Sequence, residues 1–171
     1  MKLLVVVDMQ NDFTTGALKN DEAVKVIPNI ARKIEQSEKS GDTVVFTRDT
    51  HTDDYMETQE GKNLPVKHCV KGTLGWEIVP QLKMYTYRKR IFDKPCFGSM
   101  ELAMFAHEKC FDEVELIGVC TDICVISNAM LIKAALPEAE VCVDSSCCAG
   151  VTVQSHQNAL NAMSMCHIKI K

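Results

Sequence analysis

Asp8, Asp49, His51, Lys94, Cys120 and Cys124 each lie at or shortly beyond the end of a run of aliphatic and β-branched residues. Between them they offer a carboxylate, a carboxylate–imidazole pair of metal-binding type, a cation and two thiols. Cys124 carries the most specific physical argument. In Gly118-Val119-Cys120-Thr121-Asp122-Ile123-Cys124-Val125 an apolar run ends at a glycine-containing turn, and a helix opens near Thr121. A thiol in the first helical turn meets unsatisfied backbone N–H groups and the positive end of the helix dipole, both of which favour thiolate. The same N–H groups can face a developing oxyanion.

A thiol nucleophile needs a base. His107, His156 and His167 fall in or beside helical and strand-like segments and read as structural or surface residues. His51 and His68 share a long polar stretch with Asp49, as Asp-x-His followed by a distant His. That set suits a divalent metal better than it suits deprotonation of a thiol. Asp8 is then the base within reach, its pKa raised by burial at a strand end, and Lys94 is placed to stabilise both carboxylate and thiolate. An Asp–Lys–Cys group of this kind is equipped to attack an amide carbonyl. Taken singly, each residue has a plainer reading: Asp8 as a turn residue, Lys94 before Pro95 as a solvated loop lysine, Cys124 as one more buried thiol, the two loop histidines as incidental. Convergence on one rim separates the readings.

The elements that would create such a rim are legible. Leu3 to Val7, Thr43 to Thr47, Met84 to Lys89, Val114 to Val119, Glu140 to Val143 and Ile168 to Ile170 are short strand-like runs without clean polar alternation, as expected of strands buried on both faces of a parallel sheet. Between them, Asp21 to Ser40, Ser99 to Lys109, Thr121 to Ala135 and Thr152 to Met165 read as helices, with Gly41 closing the first and Ser99 capping the second. Strand and helix in alternation predict an α/β fold: a three-layer α/β/α arrangement around an open parallel sheet. Ligands of such sheets bind beyond the carboxyl ends of the strands, near the point where strand order reverses. Thr50 to Leu74 breaks the rhythm, and a loop of that length in a compact domain is usually functional or mobile.

Composition sets the outer bounds. With 171 residues, the chain holds one domain's worth of sequence, so residues 1–171 are expected to form a single unit. A net charge of −4 and 25% charged residues give no electrostatic footprint for nucleic acid. The opening apolar run is cut by Asp8, and no stretch approaches the length of a membrane span. Nine cysteines, an odd number, cannot all pair within the chain and point to a reducing, cytoplasmic setting, with most thiols serving as small buried hydrophobes. Cys110, Cys142 and Cys166 are expected in the core; Cys147 and Cys148 stay open.

Five ordered segments carry a resemblance over nearly the whole chain: Val5 to Phe13, Thr47 to His51, His68 to Thr73, Lys94 to Ser99 and Gly118 to Val125. In order and spacing they resemble the isochorismatase-like cysteine hydrolases, most closely the nicotinamidase branch. The resemblance implies a Rossmann-like fold with a six-stranded parallel sheet, and a catalytic triad of Asp8, Lys94 and Cys124. It implies a cis peptide between Val119 and Cys120, and an oxyanion hole made by the N–H groups of Cys120 and Cys124. Asp49, His51 and His68 match metal ligands for zinc, manganese or iron, and Glu60 matches a further ligand position found in some members. Phe13 and Phe97 match aromatic positions lining a pyridine pocket.

The implied reaction is hydrolysis of nicotinamide to nicotinate and ammonia through a thioester. The implied assembly is a homodimer or homotetramer, without nucleic-acid or membrane partners. Other amidohydrolases of the superfamily, of N-carbamoyl or ureidoacrylate type, are the alternative within the family. From a different class, a thiol redox or interaction protein would use Cys96, Cys120 and Cys124, although Cys120-x-x-x-Cys124 lacks the redox Cys-x-x-Cys spacing. The chain departs from the family pattern where many nicotinamidases carry a tryptophan three residues before the last metal histidine. Here Leu64-Pro65-Val66-Lys67 occupies that stretch, which also holds one residue more between Glu60 and His68.

Overall fold

A computed structural model describes residues 1–171. Six parallel strands form one sheet in the order β3-β2-β1-β4-β5-β6, where β1 is Lys2–Val7, β2 Thr43–Asp49, β3 Arg90–Lys94, β4 Glu113–Val119, β5 Glu140–Ala149 and β6 Lys169–Ile170. The order reverses between β1 and β4, so the rim beyond Val7 and Val119 is the crevice in which ligands of open sheets bind. Gly118 permits the close approach of these two strands. Its φ is +116°, and a Cβ there would stand 2.1 Å from the Val7 carbonyl oxygen.

Helices cover both faces. Helix α1 (Asp21–Lys39) turns Ala23, Ile27, Ile30 and Ile34 onto one side of the sheet, against Leu4, Val6 and Ile117. Each such isoleucine contributes roughly 1.5–3 kcal/mol by leaving water. Asn20 caps this helix by accepting from the N–H groups of Glu22 and Ala23. After two short helices, α2 (Gln59–Asn63) and α3 (Pro80–Lys83), the opposite face is covered by α4 (Met100–Lys109), α5 (Ile126–Ala135) and α6 (Val153–Met165). Leu102, Ala129, Ile132 and Leu160 from these helices meet Leu3, Val5 and Leu116 of the sheet. No helix is long and apolar enough to cross a membrane.

Three local expectations are corrected. The third strand is Arg90–Lys94, not Met84–Lys89; Met84–Thr86 forms a 3-10 turn after α3, with Met84 and Tyr87 exposed. β3 is an edge strand in which Arg90, Asp93 and Lys94 flank Ile91 and Phe92, and only Phe92 is fully buried apolar, so its hydrophobic signal is weaker than that of the exposed turn before it. The segment Thr121–Ala135 is not one α-helix: Thr121–Val125 is a π-helical turn that leads into α5. Cys110 and Cys166 are exposed at the ends of α4 and α6 rather than buried, whereas Cys142, Cys147 and Cys148 lie in the core.

Candidate active site

The ends of β1, β2, β3 and β4 place their side chains in one crevice. Asp8 follows β1 directly with φ +47°, and its N–H donates to Thr47 Oγ1 at 3.2 Å while Thr47 Oγ1 donates back to Asp8 Oδ1 at 2.6 Å. Lys94, the last residue of β3, reaches across β2, fully buried, and sets its ammonium 2.6 Å from Asp8 Oδ2 and 3.3 Å from Asp49 Oδ1. The same ammonium donates to the Cys96 carbonyl at 3.1 Å and to Cys124 Sγ at 3.4 Å. Asp8 Oδ2 meets the lysine as a charge neighbour but receives no well-directed hydrogen bond, so a lone pair remains for a proton.

Burial governs the ionisation of this group. It pushes Asp8 above the usual carboxylate range, with Lys94 opposing. It pushes the Cys124 thiol well above the usual thiol range; the charge of Asp8 adds to the effect and Lys94 again opposes it. Burial alone would lower Lys94, but the charges of Asp8, Cys124 and Asp49 hold it well above its ordinary value. Burial and the charge of Asp8 thus oppose the thiolate that the helix-end position of Cys124 favours, and Lys94 supports it. Within this group a proton passing from Sγ to Asp8 leaves the net charge of the crevice unchanged.

The nucleophile turn is held by a residue that motif reasoning missed. Asn128, one α-helical turn past Cys124, is buried and donates to the carbonyls of Cys124 (2.8 Å) and Phe97 (3.1 Å), while its Oδ1 accepts the Ser99 N–H (2.9 Å). It thereby ties Cys124 to the segment leaving β3. An asparagine four residues after a reactive thiol was the available signal. The peptide between Val119 and Cys120 is cis, as the resemblance implies. The Cys120 N–H lies beyond the strand ladder and donates to no backbone carbonyl.

Beside this group, Asp49, His51, Glu60 and His68 bring their ligand atoms within 4.8 Å of one another. Asp49 Oδ2 lies 2.9 Å from His51 Nε2 and 3.4 Å from His68 Nε2, and Glu60 Oε1 stands 3.6 Å and 3.8 Å from the same nitrogens. His68 Nδ1 donates to the Val66 carbonyl at 2.8 Å, which leaves Nε2 to face the cluster, the tautomer a metal ligand needs. Two imidazoles and two carboxylates, convergent and largely buried, fit a divalent transition metal. Burial works against ionised Asp49, but hydrogen bonds from His51 and His68 hold it below the usual carboxylate range. Tyr55 packs against both imidazoles at ring distances of 4.6 Å and 5.0 Å, and its hydroxyl donates to the Leu64 carbonyl. Gln10, also missed by motif reasoning, is buried behind the cluster: its amide donates to the Asp49 carbonyl (2.9 Å) and accepts from the Asp49 N–H (2.8 Å).

A cavity of about 600 Å³ opens onto both groups, lined at its floor by Cys124, Cys120, Asp49 and His68 and on its flanks by Phe13 and Phe97. Seven of the ten residues singled out in the sequence line this cavity, and Lys94, Asp8 and His51 stand directly behind Cys124 and Asp49. The family model for the isochorismatase domain matches residues 2–170. The chain belongs to the isochorismatase family. Within that family it is similar to a nicotinamidase/pyrazinamidase of Mycobacterium tuberculosis, with 30% identity over 75% of this chain and 77% of that protein. Among solved structures it is similar to a pyrazinamidase/nicotinamidase of Streptococcus mutans, with 27% identity, full coverage of both chains and a TM-score of 0.90. The pyrazinamidase of Pyrococcus horikoshii, solved in complex with zinc, gives 29% identity over 99% of this chain and 98% of that one, with a TM-score of 0.85.

Proposed function

We propose that this carboxamide hydrolase of the isochorismatase family cleaves nicotinamide to nicotinate and ammonia through a thioester on Cys124. The observation that carries the reading is the single buried ammonium of Lys94, within 2.6 Å of Asp8 and 3.4 Å of Cys124 Sγ. It pairs with a carboxylate base and compensates the thiolate formed when that base takes the thiol proton. Asp8 receives the proton from Sγ as sulfur attacks the amide carbon, and the N–H groups of Cys120 and Cys124 donate to the developing oxyanion. Collapse of the tetrahedral adduct breaks the C–N bond, and Asp8 returns the proton to the departing nitrogen, which leaves as ammonia. Asp8 then takes a proton from water as its oxygen attacks the thioester; the C–S bond breaks and the proton passes back to sulfur.

Phe13 and Phe97 flank the ring, and Asp49, His51, Glu60 and His68 would hold a divalent ion, zinc by the chemistry of the donor set. Bound there, the ion would supply a Lewis acid to which a ring nitrogen could be anchored, with the carboxamide facing Cys124. The thiol-exchange alternative fares worse, since it gives no role to the buried Asp8–Lys94 pair whose ammonium meets Cys124 Sγ at 3.4 Å. Replacing Cys124→Ala is expected to abolish ammonia release from nicotinamide while leaving the thermal transition within a few degrees of wild type. Appreciable turnover by that variant would remove Cys124 from the mechanism.

A further inference from the structure

Resting on that reading, we infer that the outer half of the cavity is an apolar subsite, and that the preferred substrates are aromatic carboxamides extended by a fused or attached second ring. A volume of about 600 Å³ lies in the range that accepts drug-sized ligands, far more than a single-ring amide fills. The floor around Cys124, Asp49 and His68 is buried, whereas the far lining is exposed, at 38% for Leu64 and 58% for Val151. Leu18, Leu64, Ile123 and Val151 supply that outer surface. A second ring placed against them would cover apolar area that otherwise faces water, which favours binding in proportion to the area covered.

The polar residues of the rim have partners of their own. Asn20 gives its oxygen to the first turn of α1 and its nitrogen to the Gly150 carbonyl at 2.8 Å. Lys19 pairs with Asp21 at 3.2 Å. No unpaired cation therefore awaits a substrate carboxylate, which argues against an anionic tail of the N-carbamoyl amino acid kind. The Asn20–Gly150 bond also joins the two rim segments that carry Leu18 and Val151, so the subsite exists before ligand arrives.

The test compares nicotinamide with quinoline-3-carboxamide on the zinc-loaded protein, by ammonia release and by calorimetric titration into the Cys124→Ala variant. The expected result is quinoline-3-carboxamide binding about tenfold tighter than nicotinamide, with kcat/KM at least equal, since a well-filled hydrophobic pocket discriminates by roughly 10–200-fold. Leu64→Asp should lower the ratio of extended to plain amide about tenfold in both measurements. Weaker binding of the extended amide, or a Leu64→Asp variant with an unchanged ratio, overturns the subsite. If neither amide releases ammonia, the amidase reading falls, and the titrations still decide the subsite by themselves.

Discussion

Lys94 couples two chemistries that the sequence presents separately. Its ammonium stands 2.6 Å from Asp8 and 3.3 Å from Asp49, so the carboxylate beside the thiol and the carboxylate of the metal cluster share one buried counter-charge. The metal cluster itself is testable through His51. Its Nε2 lies close to both Asp49 and Glu60, and Tyr55 packs against both histidines. His51→Ala should reduce zinc affinity by roughly a hundredfold or more, given that even outer-shell changes cost about 10–100-fold, and should raise KM for nicotinamide. Metal analysis after dialysis checks it; undiminished zinc in the variant would show that these four side chains are not the ligands. The identities of the reactive residues were legible because each ends an apolar run. Their ionisation was not, because helix-end position speaks only for the field of the backbone. Burial and the charge of Asp8, neither of them readable at Cys124 from its own turn, both oppose its thiolate.

Among the elements, β1, β2 and β4 were legible as aliphatic runs because both faces of a central parallel strand are dry. β3 was displaced by several residues in the sequence reading because an edge strand buries little: Arg90 and Asp93 find partners in Glu101 and Arg48 at the surface, and Phe92 alone signals the core. Asn128 was legible only as an asparagine four residues past the thiol, since a polar residue in a helix carries no mark of what it will bind. Yet this one amide holds the turn of Cys124 and the segment Phe97–Ser99 together through three hydrogen bonds. Asn128→Leu would take their side-chain partner from the buried Cys124 carbonyl and Ser99 N–H and from the part-buried Phe97 carbonyl, at about 1–3 kcal/mol for each group that stays dry. The expected outcome is a loss of a few kcal/mol in a urea titration together with a marked fall in kcat, because the thiol and Lys94 are no longer held in register. A variant with wild-type kcat but reduced stability would confine Asn128 to a structural role.

At the scale of the whole molecule, the chemistry sits at one end of the sheet and a second charge network closes the other. Glu115 in β4, fully buried, lies 2.6 Å from Lys2, 3.0 Å from Lys33 of α1 and 3.7 Å from Lys171 near the C-terminus; Lys33 also reaches Asp144 of β5 at 2.7 Å. Glu113, Glu115 and Cys142 converge as a metal site would, but three ammonium groups already neutralise the two carboxylates, which makes this an ion-pair lock on both chain termini rather than a cation site. Burial alone would raise Glu115, but hydrogen bonds from Lys2 and Lys33 outweigh it and hold the carboxyl below its ordinary range. For a carboxyl depressed in the folded state, the stabilisation is complete above its unfolded value, about 4.3, and fades as pH falls through the folded value. Glu115→Gln keeps the shape but removes the charge, leaving Lys2 and Lys33 short of a partner. The variant should lose about 1–3 kcal/mol at pH 7, and the gap from wild type should narrow in acid, as pH falls below the unfolded value of about 4.3 and through the lower folded one. Urea midpoints measured at both pH values decide it: a gap that stays constant with pH would mean that shape rather than charge at Glu115 holds the termini to the sheet.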